Sequence, residues 1–286
     1  MRAAKRASFL AVWILAIAFH SGCAQNDAKD ESRPMTGPIA GPAGRLQVDD
    51  GGEGGVPVVF AHSFAGSGKH WSAQLEHLRS TRRAIALDLR GHGESEAPPT
   101  GAYAVDSLAA DIAAVVEGLG LDRFVLVGHS MGGSAAVAYA GAHPDRVAGL
   151  VLVGTPGKTP LEQSTQILAS LQADYDSVAG KYWNSLLTGA RPDVEAQVRS
   201  EMQSVPRAAS LAMIGALFAF DPLPSLRAYP GPKLLVDTAH DESPGGLHHL
   251  APEVPRQVIA GTSHWPQMDK PEEFNRILDE VLATVK

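Results

Sequence analysis

Short apolar runs alternate with helical patterns from about residue 56 onward. The segments Val56–Ala61, Phe124–Val127 and Val147–Val153 are continuous apolar runs, as expected of strands that are buried on both faces. Arg83–Leu87 predicts a further strand, and Leu108–Leu119 carries apolar side chains at helical spacing. Since strands and helices alternate, the pattern predicts an α/β fold with a doubly wound, mostly parallel sheet and right-handed crossovers.

The pattern changes after the fourth of these predicted strands. Between residues 155 and 230 no strand pattern is evident, and several helical stretches follow one another. Lys233–Val236 and Arg256–Ala260 then predict two more strands, and a closing helix is expected from about Lys270. The sequence therefore predicts one domain over residues 45–286, with a helical lid inserted at about 155–230.

The N-terminal segment has the layout of an export signal. Residues 1–22 begin with a basic stretch, continue with the uncharged apolar run Phe9–Phe19 and end in small residues. Cys23 follows directly and is the only cysteine in the chain. The junction resembles the lipobox of bacterial lipoproteins, with His20 where an aliphatic residue is usual. We expect a cell-envelope protein anchored in a membrane through lipidated Cys23, with secretion or a soluble periplasmic form as the alternative.

The segment after the signal has no periodic pattern. Residues 23–44 mix Asp, Lys, Pro, Gly and Ala, which predicts a disordered tether. Over the whole chain, hydrophobic residues make up 44%, enough for a sizeable core, and the formal charge is −7. An acidic chain argues against nucleic-acid binding, for which a basic patch is the usual footprint. A single cysteine excludes an internal disulfide, and no protein partner is predicted.

One stretch matches a short sequence pattern that is associated with catalysis. The segment Gly128–Gly132 fits the pattern G-x-S-x-G, and it stands between an apolar strand pattern and a helical pattern of small residues. In a strand–turn–helix context, such a sharp turn lifts the serine hydroxyl clear of the backbone. Ser130 is therefore a candidate nucleophile.

Four motifs in order resemble the α/β-hydrolase fold family, over nearly all of the chain from Val56 to the C-terminus. They are a strand leading into a His-containing loop, a D-x-R-G-H-G-x-S loop, the serine turn and a late histidine loop: Phe60–Phe64, Asp88–Ser95, Gly128–Gly133 and Gly261–His264. The resemblance implies the fold and a Ser–acid–His triad. It does not imply a substrate, because this fold hosts many chemistries.

The triad partners follow from this resemblance and from the needs of the chemistry. A serine hydroxyl needs a base, and His264 is the best candidate because it follows a predicted strand late in the chain. Asp241 matches the family's spacing for the orienting acid, and Asp237 is the alternative. The other family position for the acid, after Val153, holds no carboxylate.

The resemblance also assigns an oxyanion hole to the backbone N–H groups of Phe64 and Met131. Ser63 departs from the family pattern, which usually has glycine at this position. Asp88 and Arg90 are predicted to be structural, as a turn tied down by a charge pair.

The remaining histidines are not expected to take part in chemistry. His62 and His92 are predicted to make structural hydrogen bonds, and His129, beside the nucleophile, is expected to diverge from it. The pair His248–His249 resembles half of a metal site, but no carboxylate or cysteine stands at ligand spacing in the sequence. No metal and no cofactor are predicted.

Together these features predict a cofactor-free serine hydrolase acting on a small-molecule ester, lactone or related acyl compound through an acyl-enzyme. The alternatives are C–C bond hydrolysis or perhydrolysis on the same triad, and a non-catalytic ligand-binding protein of the same fold. Serine in the turn argues against the related epoxide hydrolases and haloalkane dehalogenases, which place aspartate there.

Overall fold

The computed structural model describes residues 36–99 and 101–285. The predicted signal peptide, residues 1–22, and Cys23 lie outside the described residues.

Eight strands form one sheet in the order β1-β2-β4-β3-β5-β6-β7-β8. The first two strands pair antiparallel with each other, β2 pairs antiparallel with β4, and all other neighbours are parallel. The predicted α/β fold with a mostly parallel sheet is confirmed. The strands are β1 (Thr36–Gly41), β2 (Gly44–Gly51), β3 (Val58–Ala61), β4 (Ala84–Leu87), β5 (Phe124–His129), β6 (Val147–Val153), β7 (Lys233–Asp237) and β8 (Arg256–Val258).

Helices cover both faces of the sheet. One apolar cluster joins α2 and α3 to the sheet, and a second joins α1 and α11 to its other face. Because both faces are covered, every residue of β3, β4, β5 and β6 is buried. The helices are α1 (Ser72–Leu78), α2 (Val105–Gly118), α3 (Met131–Ala142), α4 (Leu161–Ala173), α5 (Tyr175–Leu186), α6 (Pro192–Met202), α7 (Arg207–Ala219), α8 (Pro222–Ala228), α9 (Leu247–Leu250), α10 (Pro266–Asp269) and α11 (Pro271–Thr284).

The predicted tether is wrong for residues 36–44. Residues 36–41 form the edge strand β1, which pairs with β2 through a tight turn ending at Gly44, whose φ is +139°. Pro38 is tolerated there because an edge strand leaves one row of backbone groups unpaired. Ile39 packs against the apolar core, so this strand belongs to the domain. Residues 36–41 show no periodic pattern in the sequence, although the strand with which they pair begins only three residues after them.

Helices α4–α8 lie between β6 and β7, where the sequence predicts the lid. An apolar cluster of lid residues includes Trp183 of α5 and also takes in Ala65 and Trp265 from loops at the edge of the sheet. In addition, Glu201 of α6 lies 2.7 Å from the buried His70 ring. These contacts dock the lid onto the loops that follow the strands.

Among the described residues, no single helix has both the length and the apolar character needed to cross a membrane. Only α7 and α8 taken together, with a 60° bend between them, meet those criteria.

Candidate active site

Ser130 occupies a strained turn between β5 and α3. Its φ is +52° and its ψ is −113°, a conformation that costs an L-residue other than glycine on the order of 1–3 kcal/mol. The turn is held by the Ser130 N–H, which donates to Val153 O of the neighbouring strand at 2.8 Å. The side chain is partly exposed, whereas the strand before it and the first helical turn after it are buried. The strained turn therefore places the Ser130 hydroxyl at the carboxyl edge of the sheet.

The glycines on either side of Ser130 are required by close backbone packing. A Cβ atom on Gly128 would lie 2.5 Å from Gly132 O, and one on Gly132 would lie 2.4 Å from His62 O. Both distances are below any ordinary contact, so only glycine allows the turn to pack against the loop after β3.

The backbone of His264 is held from two sides. Its N–H donates to Leu186 O at the end of α5, at 3.0 Å, and its C=O accepts from His129 Nε2 at 2.8 Å. His264 itself is nearly buried, with 6% of its surface exposed. The lid and the strand that carries Ser130 thus fix the position of the same histidine.

His129 has a role that the sequence did not reveal. Its side chain is fully buried, and its Nδ1 accepts from Gln267 Nε2 at 3.1 Å, which leaves Nε2–H to donate to His264 O. Burial, followed by the nearby His264 charge, holds the pKa of His129 well below its usual value. A neutral ring has one donor and one acceptor, and both are used here. The contact joins residues that are 135 positions apart in the sequence, so it could not be predicted from a local sequence pattern.

Asp241 faces the His264 ring. Its Oδ1 lies 3.5 Å from His264 Nδ1, and its Oδ2 accepts from Thr238 N–H at 2.7 Å and from Thr238 Oγ1 at 3.0 Å. Burial raises the pKa of Asp241, but the His264 ring and the two Thr238 donors outweigh burial and lower the pKa below its ordinary value. The carboxylate therefore stays ionised beside the imidazole. Separations of this length between such groups commonly shorten when substrate binds.

Gly154 connects Ser130 to this pair. It follows Val153, the acceptor of the Ser130 N–H, and its φ is +49°. A Cβ on Gly154 would lie 2.7 Å from His264 Cε1 and 3.3 Å from Asp241 Oδ1. A glycine at this position therefore lets the strand end that holds the Ser130 turn lie directly against the His264–Asp241 pair.

The alternative acid, Asp237, has other partners. Its Oδ2 accepts from Arg256 Nε at 2.7 Å and lies 3.4 Å from His248 Nδ1. Burial, together with the charge of Asp241, raises the pKa of Asp237 to about 6, although Arg256 opposes the shift. The structure brings Asp241, and not Asp237, to His264.

The two residues predicted for the oxyanion hole lie in the loop after β3 and at the first position of α3. Phe64 is in a tight turn closed by Gly66 N–H donating to Ser63 O at 3.1 Å, and Ala65 takes a φ of +53° there. Met131 is the first residue of α3, where a backbone N–H has no acceptor within the helix. Ser63, the departure from the family pattern, accepts from Trp265 Nε1 at 3.2 Å. Its hydroxyl therefore ties the Phe64 turn to the histidine loop.

Asp88 and Arg90 are structural, as predicted, but they do not pair with each other. Asp88 accepts from the N–H groups of Gly68 and Glu94, at 2.6 and 2.8 Å. Arg90 instead forms a buried two-point pair with Asp111 of α2, with the shorter contact at 2.6 Å. The charge pair therefore joins this loop to a helix.

His62 anchors the Phe64 turn only in its neutral form, which makes the fold sensitive to acid. Its Nδ1 donates to Ser63 O at 2.7 Å, and its Nε2 accepts from Leu89 N–H at 2.9 Å. Burial lowers the pKa of His62 from 6.5 to about 4. Between those values the unfolded chain binds a proton that the folded chain does not, so stability falls as pH falls.

We expect the free energy of unfolding to drop by about 2–3 kcal/mol between pH 7 and pH 4.5 through His62 alone. Urea denaturation of wild type and His62→Gln at both pH values measures it, since the variant lacks this titration. An equal pH dependence in the two proteins would show that His62 does not carry the effect. His77→Gln, at a half-exposed histidine on α1, is the control and should keep the wild-type pH dependence.

Comparison with known proteins shows the family to which this fold belongs. The family model of the alpha/beta hydrolase fold matches residues 56–182. A putative carbamate hydrolase of Caulobacter segnis is 32% identical over 244 residues, which cover 79% of this chain and 90% of that protein. Another curated relative is 42% identical over 107 residues, but the match spans only 29% of its length.

Two solved structures have similar folds over most of the chain. Est816, described as an N-acyl homoserine lactone degrading enzyme, superposes with a TM-score of 0.75 at 29% identity, covering 85% of this chain and 99% of its own. A thermophilic esterase from Thermogutta terrifontis gives a TM-score of 0.75 at 28% identity, covering 87% and 98%. The chain belongs to the α/β-hydrolase fold family and is a hydrolase of that fold.

Proposed function

We propose that this protein is a serine hydrolase that cleaves a small carboxylic ester or lactone through the triad Ser130, His264 and Asp241. The observation that carries the proposal is the strained Ser130, whose turn is tied through Val153 and Gly154 to the paired His264 and Asp241. A strained turn persists only where contacts with the rest of the structure hold it in place, and such turns cluster at active sites.

The reaction proceeds in two halves. His264 accepts the proton of the Ser130 hydroxyl while the oxygen attacks the carbonyl carbon, and it then returns the proton to the leaving oxygen. A water molecule, activated by His264, hydrolyses the acyl-enzyme in the second half. When substrate is bound, Asp241 accepts from His264 Nδ1, which keeps the other ring nitrogen free to act as the base and stabilises the imidazolium that forms.

The negative oxygen of each tetrahedral intermediate is stabilised by the N–H groups of Phe64 and Met131. Met131 also begins α3, so the positive end of the helix dipole points at the same place. Removal of one such donor typically costs on the order of 3 kcal/mol in the barrier.

Two observations support the substrate class. The two similar structures are described as a lactone-degrading enzyme and an esterase, and apolar groups lie around the turn that carries Phe64. The Phe64 ring stacks on Trp183 of the lid at 5.8 Å between centroids. A panel of acyl esters of increasing chain length, together with aliphatic lactones, tests the assignment. Hydrolysis of at least one class by wild type is expected, and none by Ser130→Ala. A wild type that turns over neither class contradicts the proposal.

Gly154→Ala should displace the base without removing any reacting group. The new Cβ would meet His264 Cε1 at 2.7 Å. Because a shift of about 1 Å in a catalytic group can cost about 100-fold, we expect kcat to fall by about that factor. The expected change in KM is smaller. Steady-state kinetics on the best ester of the panel gives both values.

Gly120→Ala is the matched control. Its φ of +62° imposes similar backbone strain, but a Cβ there meets no atom within 4 Å. It should lose stability and keep kcat within about twofold of wild type. Similar losses of kcat in both variants would argue that Gly154 acts through stability alone.

We also propose, from the sequence of residues 1–23, that the enzyme is exported and anchored by lipid on Cys23. Mass spectrometry of the N-terminal peptide from membrane fractions tests this proposal. A diacylglyceryl-modified Cys23 is expected, and Cys23→Ser should move the protein out of the membrane fraction. A free thiol at residue 23, or cleavage elsewhere, contradicts anchoring.

A further inference from the structure

The loop after β7 gathers three metal-binding side chains beside the acid of the proposed triad. One ligand atom each from Glu242, His248 and His249 lies within 4.8 Å of the others. The sequence predicts no metal here, because no carboxylate or cysteine stands at ligand spacing from the two histidines along the chain. The short turn at residues 239–241 and helix α9 fold Glu242 back onto them.

His248 has unsatisfied nitrogens pointing at two carboxylates. Its side chain is only 9% exposed, and neither ring nitrogen has a hydrogen-bond partner among the described residues. Nδ1 lies 3.4 Å from Asp237 Oδ2, and Nε2 lies 3.4 Å from Glu242 Oε2. His248 Nε2 and Glu242 Oε2 therefore face each other without a hydrogen bond between them, and a cation bound by both atoms would satisfy them.

One edge of the cluster has the length found in a tetrahedral metal centre. With metal–ligand bonds near 2.0–2.1 Å, two ligands of a tetrahedral zinc ion are about 3.3 Å apart. The 3.4 Å between His248 Nε2 and Glu242 Oε2 matches that edge. The His249 ring lies 4.0 Å from the His248 ring, centroid to centroid, on the solvent side of the cluster.

The groups around these three side chains resemble those that orient the ligands of a metal site. Asp237 faces the nitrogen of His248 that would not bind metal, where a carboxylate commonly orients a ligating histidine. Arg256 donates to Asp237 Oδ2 and to the other oxygen of Glu242, Oε1, at 2.7 and 2.5 Å. The guanidinium thus orients both carboxylates and leaves Glu242 Oε2 free towards His248.

We propose that Glu242, His248 and His249 bind one divalent transition-metal ion, such as Zn²⁺, with the fourth position open to water. Nitrogen and carboxylate ligands in this number suit zinc. Glu242 directly follows Asp241, and the loop between them and α9 is closed by Ser243 N–H donating to Asp241 O at 2.9 Å. The ion would clamp this loop, a structural role separate from the hydrolytic reaction.

Zinc titration of the metal-free full chain by isothermal calorimetry at pH 7.5, with Co²⁺ absorption as a second readout, tests the site. We expect one equivalent of Zn²⁺, a tetrahedral Co²⁺ spectrum and a higher Tm with metal. His249→Gln, at an exposed residue that does not disturb folding, should weaken binding at least about tenfold, as should His248→Gln.

His77→Gln is the matched control, because His77 also pairs with a carboxylate, Asp279 at 3.0 Å, but lies on α1 and outside the cluster. It should bind Zn²⁺ like wild type. Absence of stoichiometric binding in wild type, or binding unchanged in both His248→Gln and His249→Gln, overturns the proposal. Neither result depends on whether the protein hydrolyses esters.

Discussion

Ser130→Ala is expected to lower kcat for ester hydrolysis by about a million-fold while leaving KM within a few-fold of wild type. The variant loses the only atom that bonds to the acyl group, and the remaining oxyanion donors and binding contacts give only residual catalysis. Single-turnover and steady-state kinetics on the best ester of the panel measure the loss. The Tm should not fall, because alanine removes one partly exposed hydroxyl.

Ser134→Ala is the matched control for this change. Ser134 lies in the first turn of α3, four residues after Ser130, and is buried, so the same kind of atom is removed close to the same turn. It should keep kcat within about threefold of wild type. Comparable losses in both variants would mean that the helix, and not the Ser130 hydroxyl, is what the reaction needs.

Asp241→Asn should lower kcat by about 10³–10⁴-fold. An amide can donate to His264 Nδ1 and so favours the wrong tautomer, and it no longer stabilises the imidazolium. The Thr238 donors that hold the Asp241 carboxylate keep the residue in place, so the geometry should survive.

Asp237→Asn tests whether the reaction needs the carboxylate of Asp241 itself or any carboxylate near the end of β7. Asp237 lies on the same strand end but pairs with Arg256. In chelator-treated protein we expect kcat within about tenfold of wild type, with a lower Tm from the lost ion pair. A larger loss of kcat in Asp237→Asn than in Asp241→Asn would assign the acid to Asp237.

The sheet could be predicted from sequence because its central strands are buried on both faces. Such strands must be apolar at every position, so β3, β5 and β6 stand out as continuous runs. The edge strand β1 could not be predicted in this way. It is held by backbone pairing with β2 and by one apolar contact through Ile39, and neither leaves a period in the sequence.

The residues of the candidate site could be predicted where each of them belongs to a local sequence motif. The serine turn, the late histidine and the acid each follow a strand, and parallel strands end at one edge of a sheet. What holds His264 is not local. Its backbone contacts Leu186 and His129, which are 78 and 135 positions away, and the glycine packed against its ring follows a third strand.

The same reason explains why the side chains of the proposed metal site could not be predicted to lie together. Along the chain Glu242 stands six residues before His248, without a spacing that identifies a ligand. Only the turn of the loop onto α9 brings the carboxylate to the ring. Side chains that meet through a loop conformation leave no periodic signal.

Covalent labelling by a fluorophosphonate, located by peptide mass spectrometry, tests the central claim most directly. The reagent bonds to a serine only when a base activates the hydroxyl and an oxyanion hole accepts the developing charge. We predict one adduct per chain, on Ser130, with labelling abolished in Ser130→Ala and strongly reduced in His264→Ala. An unlabelled wild type, or an adduct on another residue, would contradict the proposed triad.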